Sequence, residues 1–321
     1  MIEPETVVGG ENPRSARTGA EFLASFQMRA MEWLGMRLPR PVGLAAAAAA
    51  QRLFFAIAHG QRETVAQNFS RVLGHPPDSA IVQTATWECF MLYARYWYET
   101  FAVRSMPWEE VDRRFTIDGL EHVDHAMEAG RGIIIAAPHM GNWDAGAHWL
   151  CTRGYRIAAV AEELKPPEVF DLFFRHRRAL GITIVPLSDG KRVGERLVGL
   201  LADNYLVALV ADRDLTGRGV DVEMFGGRRK LPAGPARLAL GTGSPLTIGA
   251  VFTTRDGWHC RILPPFGYEP TGDMRADVTA LTRLIAAGFE RFISEAPADW
   301  HMFQPAWDNN GGAEGVPPVS P

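Results

Sequence analysis

The sequence predicts an α/β protein with a central mixed sheet flanked by helices and a helical N-terminal part. Three observations support this fold class. In the first hundred residues, apolar side chains recur at helical spacing. From Phe115 onwards, short apolar runs alternate with helical stretches, which is the pattern of a sheet covered by helices. A hydrophobic fraction of 47% in 321 residues is sufficient for the core that such a fold needs.

The N-terminal part is predicted to begin with a flexible tail over residues 1–18, which is polar and has no apolar signal segment. A helical, membrane-facing part is expected to follow over residues 19–110. Apolar spacing, prolines and Ser79 mark the helix limits. The helices are expected at residues 20–38, 41–59, 62–72 and 80–103.

Two of these helices are unusually apolar. Residues 45–57 contain six consecutive alanines and two phenylalanines, and residues 87–101 are crowded with aromatic side chains. Both stretches fit packing in a protein core, and both also fit contact with lipid or with an acyl chain. No stretch of the sequence reaches the ~20 apolar residues needed to span a bilayer. We therefore expect contact with a membrane face and leave core packing open as the alternative.

The α/β core is predicted over residues 111–308, and a second flexible tail over residues 309–321. Ligands of such folds gather at the carboxyl ends of the strands, so residues that follow strands are the first candidates for a site. The strands are expected at 115–117, 132–137, 155–160, 182–185, 206–210, 245–253 and 258–263. The helices between and after them are expected at 120–129, 142–152, 167–180, 191–202, 234–243 and 274–296.

The charge and the cysteines exclude several classes of protein. A net charge of −4 argues against a protein that binds nucleic acid through bulk electrostatics. Cys89, Cys151 and Cys260 are far apart and show no pairing of the kind that holds a metal. We expect them to be core residues in a reducing compartment.

The strongest local signal is a buried strand that ends at Pro138 and is followed by His139 and Asp144. A histidine and a carboxylate at a strand end can act as a general base and the group that orients it. We therefore expect His139 to accept a proton from a substrate hydroxyl while Asp144 fixes its tautomer. A zinc or iron site is disfavoured, because no HExxH, CxxC or close histidine pair occurs nearby.

A second charged group follows the strand predicted at residues 206–210. Asp212, Arg213 and Asp214 stand at its end. Charged residues are costly to bury in such a place, which favours a role in a site, and a capping ion pair stays open as the alternative. Further on, a glycine-rich stretch leads to the basic residues 228–230, which fit either a solvated turn or contact with an anionic headgroup or phosphate.

Together these motifs resemble a known family. Residues 137–144 contain the H-x4-D pattern of the glycerophospholipid and lipid A acyltransferases, and Gly141, Asn142 and Trp143 resemble the bacterial lauroyl/myristoyl branch. Residues 211–214, 219–236 and 299–305 resemble motifs of that branch in the same order. Residues 161–166 and 173–177 are similar to segments of the mycobacterial acyltransferases of phosphatidylinositol mannosides. The resemblance covers residues 62–305 and implies a glycerolipid acyltransferase-like fold.

The resemblance implies transfer of a fatty acyl group from acyl-CoA, expected to be palmitoyl-CoA, to a mannose hydroxyl of a phosphatidylinositol mannoside. Acyl-CoA would be a substrate, with no cofactor and no metal. The expected partners are acyl-CoA, the mannosylated phosphoinositide or a similar glycolipid, and a membrane surface, without nucleic acid. The implied location is the cytoplasmic face of the plasma membrane, where the protein would be peripheral.

The resemblance also implies roles for individual residues. His139 would be the base, oriented by Asp144 and by a second acidic residue that we match to Asp212; Asp214, Asp221 and Glu223 stay open as alternatives for that second position. Polar groups expected to line the cleft or contact substrate headgroups and phosphates are Glu162, Arg177, Arg213, Asp214, Arg228 and Arg229.

Three other functions stay open. The same chemistry could serve another glycolipid acceptor, such as a lipid A-type precursor. The protein could also bind lipid without turnover, although the intact His139 and Asp144 pair speaks against this. A thioesterase or other hydrolase is less favoured, because the sequence has no G-x-S-x-G nucleophile motif.

Overall fold

The computed structural model describes residues 19–163, 165–190 and 192–307. The two tails predicted at residues 1–18 and 309–321 lie outside these residues. The predicted limit between the helical part and the core, at residue 110, falls inside a helix, Trp108–Arg114. The division of the chain into these parts therefore stays a prediction.

Five helices make up the N-terminal part: α1 (Gly19–Arg37), α2 (Arg40–Ile57), α3 (His59–Leu73), α4 (Ala80–Ala102) and α5 (Trp108–Arg114). Local sequence explains most of their limits. Pro39 stands before the first turn of α2, and Gly74 ends α3 in the left-handed conformation at φ 68°. Ser79 caps α4 by accepting from the Val82 amide at 3.5 Å. Helices α1, α2 and α3 all pack against α4, which is the centre of this layer.

The core strands are β1 (Phe115–Asp118), β2 (Ile133–Ala137), β3 (Ile157–Ala161), β4 (Thr183–Pro186), β5 (Leu206–Val210), β6 (Val220–Met224), β7 (Gly227–Leu231), β8 (Leu246–Thr253) and β9 (Trp258–Ile262). The core helices are α6 (Leu120–Glu128), α7 (Trp143–Thr152), α8 (Pro167–Ala179), α9 (Arg192–Ala202), α10 (Gly234–Thr242) and α11 (Met274–Glu295).

In the described part of the chain, seven strands form one sheet in the order β1-β9-β8-β2-β5-β3-β4. Only β8 and β9 pair antiparallel, so the sheet is mixed and its β8–β4 half is parallel. The predicted α/β fold with a mixed sheet and a helical N-terminal region is thus confirmed. Strand β2 is central and buried on both faces, as its run of β-branched residues requires.

The register of β2 and β5 determines where the site lies. Ala137 pairs with Val210 at the carboxyl ends of these adjacent parallel strands. The residues that follow each strand, His139 and Asp212, therefore leave the sheet at the same edge. This is the edge at which ligands of α/β folds are expected.

Strands β6 and β7 form a separate hairpin that the sequence analysis interpreted as a loop or turn. Its two turn residues, Phe225 and Gly226, both have positive φ, 50° and 66°. These angles are the ones a tight two-residue hairpin turn demands. The basic residues therefore lie in a strand, where successive side chains point to opposite faces: Arg228 is exposed and Arg229 is buried.

A buried carboxylate ties the helical layer to the sheet. Glu99 of α4 is 1% exposed and accepts 2.9 Å hydrogen bonds from Arg40 of α2, Arg95 of α4 and the Trp258 indole of β9. Arg95 also donates to the carbonyls of Thr254 and Gly257 in the β8–β9 turn, at 2.6 and 3.0 Å. The Glu99 side chain thus joins α2, α4 and one end of the sheet.

Among the described helices, none is by itself long and apolar enough to cross a bilayer. By length and composition alone, α2 and α3 taken together would meet that criterion, although they bend by 93° where they join.

The first prediction concerns the stability of this junction. Replacement Glu99→Ala should lower the free energy of unfolding by about 3–5 kcal/mol, because it leaves buried donors unpaired and removes the partner of two arginines. Urea denaturation followed by circular dichroism would measure the change. Glu295→Ala is the matched control. Glu295 pairs with Arg261 at 2.5 Å and is 37% exposed, so its loss should cost less than about 1 kcal/mol. Equal losses in the two variants would contradict this interpretation.

Candidate active site

The turn after β2 is held in place on two sides. Gly141 adopts φ 54°, and a Cβ there would lie 2.0 Å from the Val251 carbonyl oxygen of β8, so only glycine fits. The Gly141 amide donates to the Asp299 carbonyl at 3.1 Å, and the His301 amide donates to the His139 carbonyl at 2.9 Å. The segment near Trp300 thereby fixes the backbone that carries His139.

His139 and Asp212 form the central polar pair of the site. The Nδ1 atom of His139 hydrogen-bonds to one carboxylate oxygen of Asp212. The other oxygen accepts from the His139 amide at 3.0 Å and from the Trp300 indole at 2.8 Å. Because the carboxylate can only accept, Nδ1 carries the proton in neutral His139, and Nε2 is left as the acceptor. The His139 side chain is 34% exposed and Asp212 is fully buried.

The ionisation of Asp212 follows from these contacts. Burial by itself would raise the pKa of its carboxyl. The charge of His139 and the three hydrogen bonds outweigh burial and lower the pKa well below its usual range. Asp212 is therefore a fixed negative charge beside the histidine.

Asp144 does not meet His139, which corrects the expectation that it orients the base. Its carboxylate lies in the first turn of α7, is fully buried and accepts from Arg177 of α8 at 2.9 and 3.4 Å. The Arg177 guanidinium also lies over the rings of Trp143, at 4.3 Å, and Phe173, at 5.4 Å. The position of Asp144 on the helix directs it to the neighbouring helix α8. The orienting contact to the histidine is made by Asp212.

A large cavity of about 1040 Å³ opens above this edge of the sheet. Its volume is at the upper end of the range of ligand pockets, roughly 300–1,000 Å³. Helices α4, α8, α9 and α10 surround it, together with the loops after β2 and β5. Four of the residues predicted to bind substrate line it together with His139: Glu162, Arg177, Arg213 and Asp214.

Two of these four make contacts across or around the cavity mouth. Arg213, after β5, lies 3.6 Å from Glu162, after β3, in a partly exposed ion pair. Asp214 instead closes its own turn, because its carboxylate accepts from the Thr216 amide and hydroxyl and from the Gly219 amide. Asp214 thus shapes the loop more than it presents charge to a ligand.

Arg228 and Arg229 are not among the described residues that line the cavity, and their contact with substrate phosphates stays a prediction. Arg228 lies on the exposed face of β7. Arg229 is 4% exposed and lies near the rings of Trp300 and Trp307, at 5.8 and 5.3 Å. Its guanidinium donates to the Asp212 carbonyl. Arg229 therefore holds the backbone of Asp212 from the hairpin. Sequence spacing could not show this contact, because it depends on the geometry of the hairpin.

Sequence reasoning did not assign roles to the residues that follow the last helix. Trp300 donates to Asp212, and His301 lines the cavity with its ring 5.4 Å from that of Tyr96. The segment is anchored by Asn68, whose side chain donates to the carbonyls of Met302 and Gln304 at 3.0 and 2.8 Å. The resemblance of residues 299–305 to a family motif indicated that this segment matters. It did not indicate which residues these side chains contact.

Two titratable groups in this segment are shifted by burial. Burial raises the pKa of Asp299 to about 6, despite hydrogen bonding with Thr253. Its Oδ2 accepts from the Thr253 amide at 2.9 Å, while its buried Oδ1 has no partner among the described residues. Burial, reinforced by nearby His139, lowers the pKa of His301 to about 3. His301 is thus neutral, and Asp299 is an ionised carboxylate in an unfavourable place.

No group of three or more His, Cys, Asp or Glu side chains in the described ranges is placed to hold a metal ion. The chemistry offered by the described site is that of a histidine–carboxylate pair, a fixed arginine and an apolar cavity.

The histidine of an H-x4-D sequence, placed beside a buried carboxylate at the carboxyl end of the central strand of a mixed sheet, is the arrangement expected of an α/β acyltransferase. The family profile of the bacterial lipid A biosynthesis acyltransferases matches residues 14–309, and the chain belongs to this family. The family resemblance found in the sequence is confirmed.

Curated relatives are similar over most of the chain. A phosphatidylinositol mannoside acyltransferase of Mycobacterium tuberculosis (strain CDC 1551 / Oshkosh) is 36% identical over 298 residues, 92% of this chain and 92% of the relative. One of Mycolicibacterium smegmatis is 37% identical over 254 residues, 79% of this chain and 82% of the relative. The protein is therefore an acyltransferase.

The second prediction concerns the buried charge of Asp299. The native pKa of about 6 lies above the usual 3.8, so the folded state binds the proton more tightly than the unfolded state. Protonated Asp299 therefore contributes to the free energy of unfolding. This contribution is fully present below pH 3.8 and is lost as the pH rises through 6, and the loss amounts to about 3 kcal/mol. Asp299→Asn keeps an acceptor for Thr253 and removes the charge. It should therefore stabilise the protein above pH 7 and have little effect near pH 4, as measured by urea unfolding.

Asp277→Asn is a control with the opposite sign. Burial would raise the pKa of Asp277, but hydrogen bonds from Thr271, Tyr268 and Gly272 outweigh it and lower the pKa. Its contribution is present above the unfolded pKa and is lost in acid. This variant should be destabilised at neutral pH, with a difference that shrinks in strong acid. If Asp299→Asn lowered the free energy of unfolding by the same amount at every pH, the interpretation of Asp299 as an unfavourable buried charge would be wrong.

Proposed function

We propose that the protein transfers a fatty acyl chain from acyl-CoA, with palmitoyl-CoA as the expected donor, to a mannose hydroxyl of a phosphatidylinositol mannoside. The observation that carries the reaction type is the contact of His139 Nδ1 with the buried carboxylate of Asp212. This contact leaves Nε2 as a base directed by a fixed charge. The names of the mycobacterial relatives support the mannoside acceptor.

In the proposed mechanism, Nε2 of His139 accepts the proton of the mannose hydroxyl as its oxygen attacks the thioester carbonyl. Asp212 stabilises the imidazolium that forms, since it is a buried negative charge on the other ring nitrogen. The C–S bond then breaks, and the proton on Nε2 passes to the CoA thiolate. The acyl group passes directly from CoA to the acceptor, and no covalent enzyme intermediate forms.

The cavity has walls of two kinds, which suit an amphiphilic donor and acceptor. Around His139 it is polar and aromatic. Towards α9 and α10 it is aliphatic, as an acyl chain requires. The aliphatic side chains are Val193, Leu197, Val198, Leu209 and Leu238.

A membrane surface is proposed as the place where the lipid substrates are met. Helices α1 and α2 expose several large apolar side chains to solvent, which is typical of a surface that contacts lipid. These are Phe26, Trp33, Leu34, Val42, Leu53, Phe54 and Ile57. On its inner side, α1 packs Met28 and Met31 against the cluster that contains Phe173, a residue of the cavity wall. The proposed location is the cytoplasmic face of the plasma membrane, with the protein peripheral.

The third prediction tests the base. His139→Ala should lower kcat for acyl transfer from palmitoyl-CoA to a phosphatidylinositol mannoside by roughly 10²–10⁴-fold, because a positioned base contributes that factor. Free CoA release and acylated mannoside would be measured together. His122→Ala, which changes a histidine on α6 away from the site, is the control and should match the wild type.

The outcomes of this assay separate the alternatives. Turnover with a lipid A-type precursor but not with the mannoside would keep the chemistry and overturn the acceptor. Release of CoA without acylated lipid would indicate a hydrolase, and absence of release would indicate a lipid-binding protein. A His139→Ala variant with most of its turnover would overturn the proposed mechanism.

The fourth prediction tests the membrane surface. Leu53 and Ile57 are each 74% exposed, whereas Phe55 packs edge-on against Trp87 and Phe90 at 4.9 Å. The double variant Leu53→Ser, Ile57→Ser should therefore lose sedimentation with anionic vesicles while it keeps its thermal stability. Leu284→Ser changes an exposed side chain of α11 and is the matched control. Unchanged sedimentation of the double variant would remove α2 from the proposed membrane surface.

A further inference from the structure

The acyl transfer proposed above needs hydrogen-bond donors for the oxyanion that forms on the thioester carbonyl. Backbone amides near the base commonly supply them, but here they are already engaged. The His139 amide donates to Asp212 at 3.0 Å, that of Met140 to the Pro138 carbonyl at 2.8 Å, and that of Gly141 to the Asp299 carbonyl at 3.1 Å. The turn that carries the base therefore presents no free amide at these three positions.

Side chains of the cavity wall beside His139 provide the alternative. Tyr96 lines the same cavity from α4 and is held by ring contacts with Tyr93, at 5.9 Å, and Trp97, at 5.2 Å. Its ring lies 5.4 Å from that of His301, whose amide donates to the His139 carbonyl. Tyr96 thus lines the same cavity as His139 and packs against the segment that holds the His139 backbone.

The Tyr96 hydroxyl has a charged neighbour that is fixed as well. Arg177 interacts with this hydroxyl and pairs with the buried Asp144. Its stacking on Trp143 and Phe173 leaves the guanidinium little freedom. Burial, which is the largest cause, raises the pKa of the Tyr96 phenol well above its usual value. Hydrogen bonding with Thr100 and the charge of Arg177 act in the opposite direction but do not outweigh burial. The hydroxyl therefore keeps its proton at neutral pH and can donate a hydrogen bond.

We propose that Tyr96 is a further catalytic residue, whose hydroxyl donates a hydrogen bond to the thioester carbonyl oxygen, with Arg177 beside it. This inference rests on the proposed acyl transfer. Asp144 then acts through Arg177, as a positioning residue that holds this guanidinium in place. The aspartate of the H-x4-D motif contributes to the oxyanion side of the reaction, while Asp212 serves the base.

The step can be written with its atoms balanced. The acceptor oxygen forms a bond to the carbonyl carbon while its proton passes to Nε2 of His139, and the carbonyl π electrons move to the oxygen, which Tyr96 and Arg177 stabilise. The electrons return, the C–S bond breaks, and the thiolate takes the proton from His139. Tyr96 donates a hydrogen bond throughout and is itself neither consumed nor deprotonated.

The test is Tyr96→Phe in the full-length protein, with palmitoyl-CoA and phosphatidylinositol mannoside. Loss of one oxyanion donor should lower kcat by roughly 10²-fold, with KM for acyl-CoA within twofold of the wild type. A thioether analogue of palmitoyl-CoA lacks the thioester carbonyl oxygen, so its dissociation constant should be unchanged in the variant. A structural defect would weaken binding of this analogue as well.

Tyr98→Phe is the matched control, because it removes a hydroxyl from the same helix. That hydroxyl donates to the Leu38 carbonyl at 3.0 Å, away from the cavity, so turnover should stay within twofold of the wild type. A Tyr96→Phe enzyme with wild-type kcat would overturn this inference and leave the proposed function intact. A raised KM for the mannoside at unchanged kcat would also overturn it. Absence of acyl transfer in the wild type would overturn both proposals.

Discussion

The site depends on one buried negative charge, that of Asp212. A buried carboxylate is costly unless each oxygen is paired, and removing its partners leaves several kcal/mol uncompensated. Here the partners come from different parts of the chain: His139 after β2, Trp300 after α11 and, at the main-chain carbonyl, Arg229 of the hairpin. The native fold has to bring these elements together in order to accommodate the charge. The arrangement that satisfies Asp212 is also the one that positions His139, the proposed base.

The two carboxylates near the site have separate tasks. Asp212 contacts the histidine, whereas Asp144 contacts Arg177, although Asp144 is much nearer to His139 in sequence. Both are fully buried, but one neighbours a histidine that gains a proton in the proposed mechanism, and the other neighbours an arginine. The polar groups on the two sides of the cavity are therefore each fixed by their own counter-charge, and neither has to reorganise as charge develops.

The sequence was informative wherever local pattern decides structure. The β-branched run of β2, the apolar run of β5 and the spacing of the helices predicted the sheet, and strand ends brought His139 and Asp212 to one edge. Contacts between elements were harder to predict from the sequence. A spacing of five residues suggested that Asp144 reaches His139, but the start of α7 turns it towards α8. The segment interpreted as a loop is a hairpin, with Phe225 at positive φ in its turn. In this hairpin the Arg229 side chain lies on the buried face. Such outcomes depend on packing between distant segments.

The position of the Trp300 segment in the chain determines when the support of His139 can form during synthesis. Its backbone joins the catalytic turn through a Met140–Trp300 bridge and the His301 amide, and its indole completes the shell of Asp212. Every strand of the sheet precedes it in the chain. During synthesis, which runs from the N-terminus, the sheet can be complete while His139 still lacks its final support. The turn that carries His139 can therefore gain this support only after all the strands of the sheet have been made.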